Sequence, residues 1–367
     1  MKPSITYSGS GVNYQSLDPA KKLAQEGALK TSKNLKKNGY REISDTRGES
    51  AFVWQQGNIL MASVIEGLGT KNLVADMTSK ITGKSYYDTI GHDTVATIIN
   101  DLISAGARPL TINAYWAVGQ SNWFNNAKRI KDLVKGWRNA CNMAGATWGG
   151  GETPTLKGII QEGSIDLGGS AVGIISSKKN LITDKNLKAG DRVLLLESNG
   201  INANGLSLAR TIAKNLPKGY ATKLPNGKMY GEALLTRTNI YAKLIEDLQE
   251  NKIDIHYISN ITGHGFRKIM RARPNFTYVI ENIFDPQEIF LFIQKNANLS
   301  DYEMYQTFNM GMDYALFIPK KDIAKAQKII IKNGFQSIDA GFVEKGSKQV
   351  ILKPKNLIYK SETLDLR

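Results

Sequence analysis

"ILMASVIEGLGTK", Ile59 to Lys71, decides the fold class. An apolar run of strand length ends in an acid, two glycines, a threonine and a lysine, so the chain leaves a strand through a glycine loop and passes toward a helix. The loop has the ingredients of a phosphate site. Glycines let backbone amides approach an anion, Lys71 adds a cation, and Glu66 offers a hard oxygen to a metal ion. A P-loop is excluded, because Gly67 and Gly69 are two apart and Asn72, not a hydroxyl residue, follows Lys71. Two readings stand on these residues alone: an anion-binding loop, and a plain glycine turn between strand and helix.

Upstream, "AFVWQQGNILMASVI" reads as two strands, Ala51 to Gln55 and Asn58 to Ile65, turning at Gln56 and Gly57. The first forty residues are polar, and "YSGSGVNY" at Tyr7 to Tyr14 reads as a mobile segment. Downstream, "DTIGHDTVATIINDLISAG" places Val95, Ile98, Ile99, Leu102 and Ile103 at helical spacing as a buried stripe. Asp93, Thr97, Asn100, Asp101 and Ser104 gather on another side of the same helix, a ligand face or a solvated one. "TINAYWAVG" reads as a strand and "NAKRIKDLVKGWRNACNMAG" as an amphipathic helix with Ile130, Leu133, Val134, Trp137 and Cys141 inward. Three consecutive glycines follow in "GATWGGGETP", out of place in a helix or strand interior. "SIDLGGSAVGIIS" is the next strand, and "SSKKN" marks the domain boundary, dividing the chain into residues 1–175 and 176–367.

The pattern then restarts with a strand "DRVLLLES", a small-residue loop "NGINANG" and a helix "LSLARTIAKNL". A long helix is expected over Glu232 to Leu248, then a strand "IDIHYIS" and the loop "NITGHG". Strands "FTYVIE" and "DYALFIP", with helices near Pro286 to Lys295 and Asp322 to Asn333, complete an alternating half. Both halves carry small-residue loops at strand ends, where mixed α/β folds place ligands.

The chain has 367 residues, 41% of them hydrophobic, enough for two domains with their own cores. No window approaches the roughly 20 apolar residues of a membrane helix, and "MKPSITYSG" lacks the apolar segment of a secretory signal. With Cys141 the single cysteine, no internal disulfide forms, and a cytoplasmic location is expected. The net charge of +15 comes mostly from lysines scattered along the chain, without the Arg-aromatic clusters that read nucleic acid except the short "FRKIMRARP" at Phe266 to Pro274. A phosphorylated small-molecule substrate suits that positive field better.

"GLGTK", "DTIGHDTVATIINDL", "GGET", "NANGLSL", "NITGHGF" and "MYQTFNMG", in this order, make the chain resemble the phosphoribosylformylglycinamidine cyclo-ligase (aminoimidazole ribonucleotide synthetase) family from about Tyr7 to about Val350. The resemblance implies a mixed α/β (α+β) subunit of two domains: an N-terminal ATP- and metal-binding domain that pairs into a homodimer, and a C-terminal α/β domain. It implies ATP and Mg2+ as cofactors and ATP-dependent ring closure of formylglycinamidine ribonucleotide in purine synthesis. Carried over residue by residue, it makes Glu66, Asp93 and Glu152 metal ligands. Gly67, Gly69, Thr70, Lys71, Asn100, Asp101, Gly150, Gly151, Thr307 and Asn309 become the nucleotide-binding set. Lys71, Asn204 and His264 take the catalytic roles.

The chain departs from the family pattern at several of these positions. Glu66 stands where an aspartate is usual, and Asn202-Ala203-Asn204-Gly205 where the family reads His-Ser-Asn-Gly. "NITGHG" replaces His-Leu-Thr-Gly-Gly-Gly, so Asn260 takes a histidine position and His264 a glycine position. Asp313 stands where glycine is common, and Ser10 and Asn13 where acids are. His264 is the candidate to restore the lost acid/base group, whereas His92 and His256 read as structural. The alternative functions are a non-catalytic nucleotide-binding paralogue, or a related ATP-dependent kinase or synthetase of the same superfamily.

Overall fold

The computed structural model describes Gly9, Gly11 and residues 14–364. The Tyr7 to Tyr14 segment falls almost wholly outside these residues, as do Ser10 and Asn13. Within the polar first forty residues the chain forms α1 (Tyr14–Leu29) and α2 (Lys33–Lys37).

Two sheets follow in turn. The first contains β1 (Arg41–Glu42), β2 (Phe52–Gln56), β3 (Ile59–Gly67), β4 (Arg108–Val118), β5 (Thr147–Glu152) and β6 (Ile165–Ile175), in the order β1-β2-β3-β6-β4-β5. Its helices are α3 (Lys71–Thr82), α4 (Tyr87–Ile103) and α5 (Ala127–Ala144). The apolar stripe of α4 packs on β3 and β6, with Val95, Ile98, Ile99, Leu102 and Ile103 all fully buried. Leu133, Trp137 and Cys141 of α5 are buried too, and burial pushes the Cys141 thiol up to about 12, which leaves it an inert core group.

Contrary to expectation, the three glycines of "GATWGGGETP" lie in a strand. β5 runs parallel to β4 at the sheet edge, and a Cβ on Gly151 would stand 2.5 Å from the Ala114 carbonyl oxygen. Only glycine permits that approach.

The second sheet contains β7 (Arg192–Glu197), β8 (Tyr257–Asn260), β9 (Phe276–Ile280), β10 (Met312–Ile318), β11 (Ser337–Lys345), β12 (Gln349–Leu352) and β13 (Leu357–Lys360), in the order β13-β12-β9-β11-β7-β10-β8. All its pairings are antiparallel except β12 with β9. Its helices are α6 (Leu206–Asn215), α7 (Tyr230–Leu234), α8 (Ala242–Glu250), α9 (Glu288–Ala297), α10 (Asp301–Thr307) and α11 (Ile323–Lys332).

The helix expected over Glu232 to Leu248 is therefore two helices. Between α7 and α8 the chain runs irregularly through "LTRTNIY", Leu235 to Tyr241. Threonines disfavour helix through their χ1 restriction. The stronger cause is tertiary, since backbone groups of this connector bond to side chains of the first domain instead of to each other. No helix among the described residues is long and apolar enough to cross a membrane.

Candidate functional site

The polar side of α4 is not solvated: Asp93, Asn100 and Asp101 are all buried. From His92 to Asn100 it grips the connector. Lys71, at the start of α3 and fully buried, donates from Nζ to Asp93 Oδ2 at 2.5 Å and to the Thr236 carbonyl at 2.8 Å. The other Asp93 oxygen accepts the Thr238 amide at 2.9 Å. His92 Nε2 donates to the Thr238 carbonyl at 2.8 Å, and Asn100 spans the Asn239 carbonyl and the Tyr241 amide. Lys71, His92, Asp93 and Asn100 thus clamp the second domain to the first.

This corrects two expectations. Lys71 does not face open space as a phosphate ligand, and Asp93 does not join Glu66. Both charges are consumed by one another inside the protein, where a buried cation needs a counter-charge.

The acid that meets Glu66 is Asp101, two turns further along α4. Glu66 sits at the end of β3, partly shielded from solvent, and its carboxyl is pushed up to about 7 by burial, by the Asp101 charge and by a hydrogen bond with Asp101. Asn260 Nδ2, at the end of β8, donates to Asp101 Oδ1 at 2.7 Å. Lys268 lies beside the pair, buried, with its ammonium pushed down to about 8 by burial and by the Arg271 charge. Two carboxyls in contact, one holding its proton toward neutrality, form a hard-oxygen pair suited to a divalent cation.

Glu152 is elsewhere. In the pairing register Gly151 lies in the row of Ala114, Gly169 and Glu66, so Glu152, one residue past that row and three strands over, is about 14 Å from Glu66 at the usual strand spacing. Gly150, Gly151 and Glu152 are exposed on β5. Among the described residues no three His, Cys, Asp or Glu side chains converge as a metal set. Glu66, Asp93 and Glu152 therefore do not form one ligand shell within a chain.

The remaining loops converge around α6. Gly69 (φ 71°) ends the "GLGT" loop near the Ala203 carbonyl, and Thr70 stands at the start of α3 beside exposed Gly67. Gly205 (φ 74°) lies against the Phe308 ring, 2.1 Å from where a Cβ would be, which sets "NANG" onto "TFN" and brings Asn204, Thr307 and Asn309 together. Asn309 is engaged in holding this loop, donating to the Gly200 carbonyl at 2.9 Å and accepting from Ser198 and from the Gly311 amide.

His264 precedes Gly265 in a left-handed conformation (φ 70°), buried, with Nε2 3.7 Å from Asp18 of α1. Burial, then the Lys268, Arg267 and Lys21 charges, push its imidazole down to about 2. It stays neutral near pH 7 and does not replace a titrating acid/base histidine. His256 is structural, donating from Nδ1 to Asp191 at 2.8 Å.

Asp313 is a residue whose surroundings no local pattern announced. Fully buried at a bulge in β10, it accepts from Tyr241 at 2.6 Å and from Asn202 at 2.8 Å, and burial raises its carboxyl to about 6 against those two bonds.

Residues 48–175 match the N-terminal domain, and residues 188–353 the C-terminal domain, of AIR synthase related protein. The chain is 33% identical over 353 residues to phosphoribosylformylglycinamidine cyclo-ligase of Clostridium perfringens, covering 95% of this chain and 100% of that one. The chain belongs to this family. The cyclo-ligase of Methanocaldococcus jannaschii is 37% identical over 278 residues, 75% of this chain and 76% of that one. Two solved structures share the fold at lower identity. A HypE-HypF complex has TM-score 0.60 and 18% identity, over 85% of this chain and 92% of that one. AaThiL complexed with AMPPCP and TMP has TM-score 0.58 and 13% identity, over 85% and 90%.

Against the cyclo-ligase pattern, the departures at Asn202 and Asp313 are in contact, and Asn260 bonds Asp101 directly. What sequence reasoning missed was which α4 acid serves which partner. The one available signal was that Asp93 and Asp101 share a helix side with Asn100.

Proposed function

We propose that the protein uses ATP to close the imidazole ring of formylglycinamidine ribonucleotide, giving aminoimidazole ribonucleotide, ADP and phosphate. The observation that carries this reading is the Glu66–Asp101 carboxyl pair at the mouth of the "GLGT" loop, in a chain whose relatives bear the cyclo-ligase name. In the balanced reaction the formyl oxygen takes the γ-phosphoryl group of ATP, a neighbouring nitrogen attacks the activated carbon, and the carbon–oxygen bond breaks to release phosphate.

Glu66 and Asp101 are the residues that would hold Mg2+. Two carboxylates completed by substrate phosphates are its usual provision in nucleotide sites. Bound there, Mg2+ neutralises phosphate charge. The amides of Gly67, Gly69 and Thr70 would donate to phosphate oxygens, and Lys268 would add a cation next to the carboxyl pair. Asn204 positions substrate by hydrogen bonding and moves no proton near neutral pH. Lys71, Asp93 and Asn100 act indirectly by fixing the connector and the start of α3.

The active form proposed is a homodimer. α4 and α5 cover one face of the first sheet, while the other presents Ile59, Ile65, Leu110 and Tyr115 to solvent, Ile65 with 79% of its surface exposed. Pairing two such faces would bury them. Mixing the purified protein with formylglycinamidine ribonucleotide, ATP and Mg2+ should yield aminoimidazole ribonucleotide, with a sedimentation mass of two 40.5 kDa chains. ATP binding without product would instead support a nucleotide-binding paralogue.

A further inference from the structure

The helices that carry the site loops at their starts, α3 after "GLGT" and α6 after "NANG", enclose a separate cavity further along their lengths. It has a volume of about 630 Å3 and lies between the domains. None of Glu66, Asp101, Asn260 and Lys268 lines it, and Tyr87, which does, is fourteen residues before Asp101 on α4, about 21 Å along the helix axis. The cavity is thus distinct from the Glu66–Asp101 pair.

Six cations border it: Lys80 and Lys84 at and just after the end of α3, Lys128 and Arg129 from α5, and Arg210 and Lys214 from α6. Two acids, Asp76 and Glu162, face them. Among the described residues, no ion pair engages Lys80, Lys84, Arg210 or Lys214, whereas Lys128 pairs with Asp132 at 3.1 Å. Two enclosed polar atoms at the same cavity, Ser79 Oγ and Arg129 Nε, have no hydrogen-bond partner. Such groups call for a ligand, because a buried donor left unmet carries its full desolvation cost. Tyr220 borders the cavity, while the Tyr87 ring is buried against Trp123 and its hydroxyl donates to Asp76 Oδ1 at 2.8 Å.

We propose that this cavity binds a nucleoside monophosphate. The α3 and α6 cations hold the phosphate, Tyr220 contacts the base, and the Asp76 and Glu162 carboxylates accept ribose hydroxyls. The volume falls in the range of small-molecule sites. A ligand there ties the far ends of the two helices whose starts form the active-site loops, so its chemistry fits a regulator.

The test is calorimetric titration of the full chain with AMP, and separately with inorganic phosphate, in EDTA so that no metal-nucleotide complex forms. Wild type and Asp101→Asn are expected to bind AMP equally, with phosphate at least tenfold weaker. Lys80→Glu combined with Lys214→Glu, both exposed positions, should weaken AMP binding at least about tenfold by removing two charge-assisted contacts without altering the thermal midpoint. Failure of wild type to bind AMP, or wild-type affinity in the double variant, overturns the site. Equal loss in Asp101→Asn assigns the binding to the active site and overturns it too. Phosphate binding as tight as AMP overturns the nucleoside assignment.

Discussion

Asp93 and Asp101 lie on the same helix, eight residues apart, both buried, and they do opposite work. Asp93 is saturated: one oxygen takes Lys71 and the other the Thr238 amide. Asp101 is placed against another carboxyl, with an amide donor and a lysine at its side. A carboxylate surrounded by donors is a fastening, whereas one pressed against a second acid is under strain that a cation relieves. Burial alone does not mark a ligand; what matters is whether the acid's charge is already met.

The largest effect should come from breaking the fastening. Asp93→Asn leaves the Lys71 ammonium buried without a counter-charge and should destabilise the protein by about 3–5 kcal/mol, read from the denaturant midpoint. Asp101→Asn should leave it as stable or more so, because a like charge beside Glu66 is removed.

The next contrast is in function. Asp101→Asn and Glu66→Gln should each weaken Mg-ATP binding by roughly 1–3 kcal/mol, the scale of a lost charged contact. Glu66→Asp keeps the charge and should bind as wild type. Wild-type titrations in both Glu66→Gln and Asp101→Asn would remove the pair from the site.

Asp313 gives a third contrast, through pH. Its folded pKa of about 6 lies above the ordinary 3.8, so between those values the native protein holds a proton that the unfolded chain has lost. Stability therefore falls as pH rises from about 4 to about 6 and does not change further through this group. Asp313→Asn should flatten that segment of the stability–pH curve. A curve that keeps its slope in the variant assigns it to other groups.

The smallest effect is expected at Glu152. At Glu152, exposed on an edge strand and about 14 Å from Glu66, Glu152→Gln should change stability by less than about 0.5 kcal/mol and leave the metal dependence of ATP binding as it was. A Glu152→Gln loss as large as that of Asp101→Asn would mean that the edge of β5 reaches the site.

The strands around "ILMASVI" and "VLLL", the helix of "HDTVATIINDLI" and the glycine loop leading to Lys71 were all legible, because side-chain periodicity and turn chemistry act over a few residues. The ordered motifs were enough to name the family. Pattern reading went wrong where a local preference met a distant partner. Glu232 to Leu248 has helical composition, yet Thr236 is bound by Lys71, 165 residues away, and Thr238 by Asp93, 145 residues away. "WGGGE" looks unfit for a strand until β4 comes too close for any Cβ.

The candidate site divides the same way. By itself the sequence determined that an acid would end β3, that further acids would ride one side of the following helix, and that glycine loops would stand at strand ends. Only the tertiary structure decided that Asp93 closes on Lys71 while Asp101 meets Glu66, that His264 is held neutral among cations, and that Asn202 shares a carboxylate with Tyr241. Residue type gives each group its chemistry, but the charge a buried group carries depends on its burial and on neighbours that are distant in sequence.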